Sequence, residues 1–180
     1  MAIVVAEQRI GPWQMQELLD NLLIGEVAEI SGANLPSLKQ WIDRNLIEAP
    51  PVIGKHRRFS ARHTIQAVVM NELTRLGIRP AVVSRGLPIV TFRFLWYIDT
   101  ASISVDGRVT MEDCAVRFWL HKGESFVEYF VNIETLPDVI ETANLPQYSL
   151  IIRFGPIFRS VLTKALAVQR AREQATSNAK

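Results

Sequence analysis

Only one cysteine, Cys114, occurs in the 180 residues, so no intrachain disulfide forms and no thiolate cluster can hold a metal within one subunit. Flanked by Asp113 and Ala115, it reads as a small buried hydrophobe rather than a redox sensor. Histidines number only three, and His56, His63 and His121 lack the spacing of metal ligands. Asp99, Asp106, Glu112 and Asp113 lie close together but punctuate turns and do not follow a calcium-loop pattern. Glycine-rich phosphate loops are missing, as is any Gly-x-Ser-x-Gly elbow, so catalysis is not the expected role and no cofactor is expected. No run of about eighteen uncharged apolar residues occurs, and no membrane span is expected. The opening Met-Ala-Ile-Val-Val-Ala-Glu has neither a basic n-region nor a cleavage pattern, which leads to the expectation of a cytoplasmic protein.

What is present is ordinary for a globular chain: 48% apolar and 21% charged residues, with a formal net charge of only +2. The placement of the charges says more than their sum. Between Pro36 and Arg62 stand six cations, Lys39, Arg44, Lys55, Arg57, Arg58 and Arg62, against two anions, Asp43 and Glu48, with His56 as a titratable addition. Such a stretch on a near-neutral protein suits a confined phosphate-binding face; a plain solvated surface is the alternative.

The expected fold class is α+β, with the character of the chain changing near Gly86-Leu87-Pro88. Before that point the apolar spacing is helical. Trp13 to Leu22 reads as a short amphipathic helix, and Ile24 to Ser31 as a second, stopped by Gly32 in a left-handed conformation. Asn34 is placed to cap a third helix, Leu35 to Arg44, which tolerates Pro36 in its first turn. Asn45 supplies its left-handed end. Two short helices joined by a tight glycine-containing turn make a helix-turn-helix pattern. Val52-Ile53, Gly54 and the extended piece Lys55 to Phe59 read as a small β-loop, or wing. Ser60 then caps a helix from Ala61 to Leu76, with Ile65, Val68, Val69, Leu73 and Leu76 as one apolar stripe. Pro80 to Arg85 adds a helical turn or two.

After the change the residues alternate as strands do. Phe92, Phe94, Trp96 and Ile98 share one face of an expected strand. Hairpins are expected about Asp106-Gly107 and about Lys122-Gly123, the latter between Val116–His121 and Phe126–Val131. A short helix from Leu136 to Ala143, capped by Thr135, a strand from Tyr148 to Phe154 and a final helix from Ile157 to Ala171 follow. Ala175 to Lys180 are expected to fray. The resulting division is a winged helix-turn-helix domain over residues 1–87 (core 23–87) and, over residues 88–180, an antiparallel sheet with two helices for dimerisation or effector binding. Apolar residues on both sheet faces suit a homodimer contact, a ligand pocket, or packing of the first domain onto the sheet.

The order Ile24-Gly25-Glu26-Val27-Ala28, Ser31-Gly32, Leu38-Lys39-Gln40-Trp41, Asn45-Leu46-Ile47 and Arg57-Arg58-Phe59-Ser60 resembles the MerR family of winged helix-turn-helix regulators. The match runs from about Leu23 to Leu87. By resemblance, Lys39 stands where the family has arginine in its recognition helix and Trp41 where it has an aromatic. Arg57 and Arg58 fall on the wing arginines, and Phe59 on the wing aromatic. His56 replaces an aromatic and Asn45 a glycine. The family's long dimerising helix after the winged region finds no match, so its dimer and its DNA-twisting activation are not carried over.

Elementary chemistry points the same way. A helix fits the major groove, where Ser37, Lys39, Gln40 and Arg44 would meet bases and phosphates; Gln40 suits adenine, and Lys39 guanine or phosphate. Lys55, His56, Arg57 and Arg58 would hold the backbone from the wing. Trp41 and Phe59 read as core, and Arg58 has a structural alternative in a salt bridge to Glu26. The implied partner is double-stranded DNA, bound by a bacterial transcription regulator acting as a homodimer through its C-terminal half, with a small molecule or protein as possible effector. An architectural DNA-binding protein, such as a recombination directionality factor or a phage packaging-type protein, is the alternative within DNA binding. A protein-interaction adaptor or antitoxin-like module is the alternative outside it.

Overall fold

The structure is a computed structural model describing residues 16–101, 115–121, 124–130 and 149–178, with side chains for residues 16–95 and 157–178. Among these residues it is mostly helical, with a two-stranded antiparallel hairpin and a separate three-stranded antiparallel sheet. After a helical turn at residues 16–18 come α1 (Ile24–Ser31) and α2 (Leu35–Asp43), then β1 (Val52–Ile53) and β2 (His56–Arg57). Helices α3 (Ala61–Arg75) and α4 (Pro80–Ala101) follow. Strands β3 (Ala115–His121), β4 (Glu124–Phe130) and β5 (Ser149–Arg153) lead directly into α5 (Phe154–Asn178). None of the described helices is long and apolar enough to cross a membrane.

Local chemistry sets the ends of the first two helices. Gly32 takes φ +72° and closes α1, a conformation that costs a side chain roughly 1–2 kcal/mol. The Asn34 side chain then accepts the Ser37 amide at 2.8 Å and opens α2, with Pro36 in a first turn that has no use for its missing N–H. At the far end Asn45 adopts φ +54°; its amide donates to the Ile42 carbonyl and the Leu46 amide to that of Trp41, the paired bonds of a left-handed helix stop.

Helix α3 is the axis of the fold. It packs against α1 and α4 and buries ten residues, including the polar Thr64, Gln66 and Asn71. Each of these ties down a piece of chain that has no partner of its own. Thr64 Oγ1 donates to the Leu19 carbonyl, Gln66 Oε1 accepts the Glu48 amide, and Asn71 Nδ2 donates to the Ser31 carbonyl at 3.0 Å. Apolar side chains close the core around it: Leu22, Val27, Ile30, Leu38, Trp41 and Phe59 from the first half, and Phe158, Val161, Ala165 and Val168 from α5. The C-terminal helix thus completes a core begun by the first sixty residues. Leu76, expected in the apolar stripe, is instead 61% exposed, one residue beyond the end of α3.

Two expectations require correction. The strand over Phe92 to Ile98 is helix, and α4 runs unbroken through Gly86-Leu87-Pro88 for 22 residues. The alternation of Phe92, Phe94 and Trp96 misled because a second, helical spacing underlies it. Val83, Gly86, Leu87, Val90, Thr91 and Phe94 are the buried positions of its described side chains, a stripe three and four residues apart, whereas Phe92 is 63% exposed. Pro88 lies on the exposed side of the helix, forgoing one interior hydrogen bond. A helix of 22 residues therefore begins before Leu87 and runs on past it, where no long helix was expected.

Strand β3 is central in the sheet order β4-β3-β5. His121 pairs with Glu124 across the expected Lys122-Gly123 turn, those two residues lying outside the described ones. β5 agrees with its expected strand, but α5 starts three residues earlier than expected, taking in Gly155-Pro156, and continues past Ala171 to Asn178. Arg, Glu, Gln and Ala in that stretch are good helix formers, so the expected fraying does not reach residues 175–178. The hairpin about Asp106-Gly107, the helix Leu136 to Ala143, Cys114 and residues 1–15 lie outside the described residues.

Candidate nucleic-acid interface

Helix α2 is held by one face only. Leu38, Trp41 and Ile42 point into the core, leaving Lys39, Gln40, Asp43 and Arg44 exposed along the opposite side. Ser37 is half-buried, and its amide is already used by the Asn34 cap.

The hairpin stands beside this face because its base is pinned. Leu22 and Phe59 exchange both backbone hydrogen bonds, at 3.0 and 2.9 Å, and both side chains are fully buried. The segment entering α1 and the segment leaving β2 are therefore one short ladder. Above it Val52 pairs with Arg57 and Ile53 with His56, and Gly54 turns the chain at φ +65°. All four paired residues are exposed.

Between α2 and the hairpin lies an open cleft of about 260 Å³. Its apolar floor is Leu23, Ile24 and Ile42; its polar lining is Lys39 and Asp43 from α2 and Lys55, His56 and Arg57 from the hairpin. Residues 16 positions apart in sequence thus meet across one concave surface. Three fixed cations face one carboxylate there. Lys39, Lys55 and Arg57 form no ion pair with any other described residue, so their charge is available to an anion. Gln40 and Arg44 lie outside the cleft lining, on the neighbouring exposed surface of α2.

Two cations of the basic stretch are otherwise engaged. Arg62 forms an ion pair with Glu48 at 2.9 Å. Arg58 turns its guanidinium toward the Asn21 carbonyl, at 3.5 Å, and is half-buried. The expected structural partner of Arg58, Glu26, is taken instead by Arg172 of α5, whose Nε and Nη2 both donate to the Glu26 carboxylate at 2.5 Å. Glu26 also accepts the Leu23 amide at 2.6 Å. Burial pushes its carboxyl up, but the Arg172 and Leu23 hydrogen bonds and the charges of Arg172 and Arg58 outweigh burial and hold it below its ordinary range. Sequence reasoning missed both Asp43, visible only once its helix face is known, and Arg172, which lies 146 residues from its partner.

Next to the hairpin, His63 Nδ1 accepts from the Ser60 amide at 3.1 Å and lies 2.6 Å from the Ser60 hydroxyl. Accepting the amide requires an unprotonated Nδ1. Burial pushes His63 below its ordinary value, with Arg62 acting in the same sense and Glu48 and Asp20 against it.

Among the described residues no group of three or more His, Cys, Asp or Glu side chains gathers as a metal site would require. No protein-family model matches the chain, and no curated protein is significantly similar to it.

Proposed function

We propose that the protein is a sequence-specific DNA-binding transcription regulator whose N-terminal part is a winged helix-turn-helix of the MerR type. In this reading α2 is the recognition helix, entering the major groove with Lys39, Gln40 and Arg44, and the β1–β2 hairpin is the wing. The observation that carries it is the cleft in which Lys39 of the helix and Lys55, His56 and Arg57 of the hairpin converge, three fixed cations against the single carboxylate of Asp43. A duplex offers closely spaced phosphates beside a groove wide enough for a helix, and this surface offers an exposed helix beside a basic hairpin. Arg58, beside the Asn21 carbonyl, and Ser37, whose amide joins the α2 cap, are half-buried, whereas Lys39, Gln40, Arg44, Lys55, His56 and Arg57 are exposed. Two copies on a repeated half-site would multiply a modest single-site affinity, so a homodimer is the expected binding form.

The test is binding to fragments of the gene's own upstream region across a salt series, comparing wild type with Lys55→Ala/Arg57→Ala. Specific binding that weakens with salt is expected, with a salt slope in the double variant shallower by about two phosphate contacts, roughly 0.9 per contact. Absence of binding to any duplex at low salt, or identical slopes for the two proteins, would overturn the reading.

A further inference from the structure

Helix α5 is far from the recognition helix in sequence, yet its last turns meet the base of the basic hairpin. Arg172 grips the Glu26 carboxylate with two parallel hydrogen bonds, and its Nη2 also donates to the Asn21 carbonyl at 3.2 Å. That carbonyl is the same one Arg58 approaches from the hairpin side. Asn21 has φ +54°, the left-handed conformation that asparagine adopts more readily than other non-glycine residues. The next residue, Leu22, makes the reciprocal backbone pair with Phe59. The Glu26 carboxylate meanwhile accepts the Leu23 amide and so opens α1. One guanidinium therefore braces the three consecutive residues from which the hairpin ladder and α1 both depart.

We propose that Arg172 is a positioning residue for the basic hairpin: through Glu26 and the Asn21 carbonyl it fixes the angle at which Lys55 and Arg57 face α2. This rests on the DNA-binding reading only for its functional consequence; the mechanical part stands without it. Planar bidentate geometry is what suits arginine to the task, since it fixes an orientation as well as a distance. Helix α5 is also continuous with β5, so the sheet and the hairpin base are joined by the stretch of that one helix from Phe154 to Arg172, about 28 Å at 1.5 Å per residue. Displacement of that helix by anything bound to the sheet would reach the hairpin through Arg172.

The experiment uses the full chain as Arg172→Ala, with Arg170→Ala as a control that removes the same charge from an exposed position on the same helix. Amide hydrogen exchange without DNA is read at Arg58 and Phe59, whose N–H groups donate to Pro51 and Leu22. Arg172→Ala is expected to accelerate their exchange about five-fold while α3 amides stay protected, and Arg170→Ala to leave them unchanged. Unaltered exchange at both amides in Arg172→Ala overturns the proposal. So does acceleration that extends equally into α3, which would mean general loosening.

A second readout is a pair of double-mutant cycles on DNA affinity. In the Arg172→Ala background the penalty of Arg57→Ala should shrink, because the hairpin is already misplaced, while the penalty of Lys39→Ala keeps its size. Equal retention of both penalties counts against positioning. If wild type binds no DNA, the functional reading fails and the exchange measurement alone decides the proposal.

Discussion

Helix α2 buries three of its nine residues, Leu38, Trp41 and Ile42, whereas α3 buries ten of its fifteen. The two helices lie within one small core and follow each other across a single hairpin, yet one is anchored along a line and the other is enclosed. The enclosed helix carries Thr64, Gln66 and Asn71 into the interior and uses each to satisfy backbone elsewhere. The anchored helix spends its polar residues on solvent, where a ligand can reach them. On the proposed DNA-binding reading, stability and recognition fall to different helices, and substitutions should separate the two.

The sharpest separation sets Ile65→Ala against Gln40→Ala. Ile65 is completely buried on α3, so its truncation should cost about 2–5 kcal/mol of unfolding free energy, seen as a lowered denaturation midpoint at constant slope. Gln40 is exposed on α2, and its removal should stay within about 0.5 kcal/mol. Comparable losses from the two substitutions would mean that α2 is as enclosed as α3 and has no surface to offer.

A smaller effect tests whether the polar residues of α3 serve the α1–α2 pair specifically. Asn71→Ala leaves the Ser31 carbonyl, at the end of α1, without its donor, and a buried acceptor left unpaired costs about 1–3 kcal/mol. Asn71→Leu adds an apolar side chain against the same carbonyl and should be no better. A stability equal to wild type in both variants would show that water replaces the amide, and the turn at Gly32 would then owe nothing to α3.

Much of this anatomy is legible in the residues themselves. Asn34, Gly32 and Asn45 announce the ends of α1 and α2 because each does a local job that only a few side chains do well. Val52 to Phe59 announces a hairpin through Gly54 and its flanks. The candidate site was legible in part: the cations were visible, but not which of them remain available. Arg58 and Arg62 look like Arg57 in sequence and differ only in what folds against them, Asn21 and Glu48. Helix α4 was misread because aromatic residues at alternate positions dominate the eye over the helical stripe of Val83, Leu87, Val90 and Phe94. The place of α5 in the core, and Arg172 at the hairpin, depend on contacts across the whole chain that no local pattern encodes.

The smallest expected effect concerns pH, and it separates the start of α3 from the start of α1. His63 has its pKa lowered in the folded protein, from an ordinary value of 6.5, so between the two values the unfolded chain binds more protons. Its contribution to stability is therefore complete above pH 6.5 and is lost as pH falls through the folded value. Glu26 is also lowered, from 4.5, so its contribution is complete above pH 4.5 and declines below. Two onsets follow: a first decline beginning near pH 6.5 and a second beginning near 4.5. His63→Gln offers a non-titrating acceptor to the Ser60 amide, in the arrangement that glutamine makes at this helix position. It should remove the first decline and leave the second, measured as unfolding free energy from pH 7.5 to 3.5. Glu26→Gln should do the reverse. A first decline that survives His63→Gln would assign it to another group and leave the Ser60 cap indifferent to the charge of the ring.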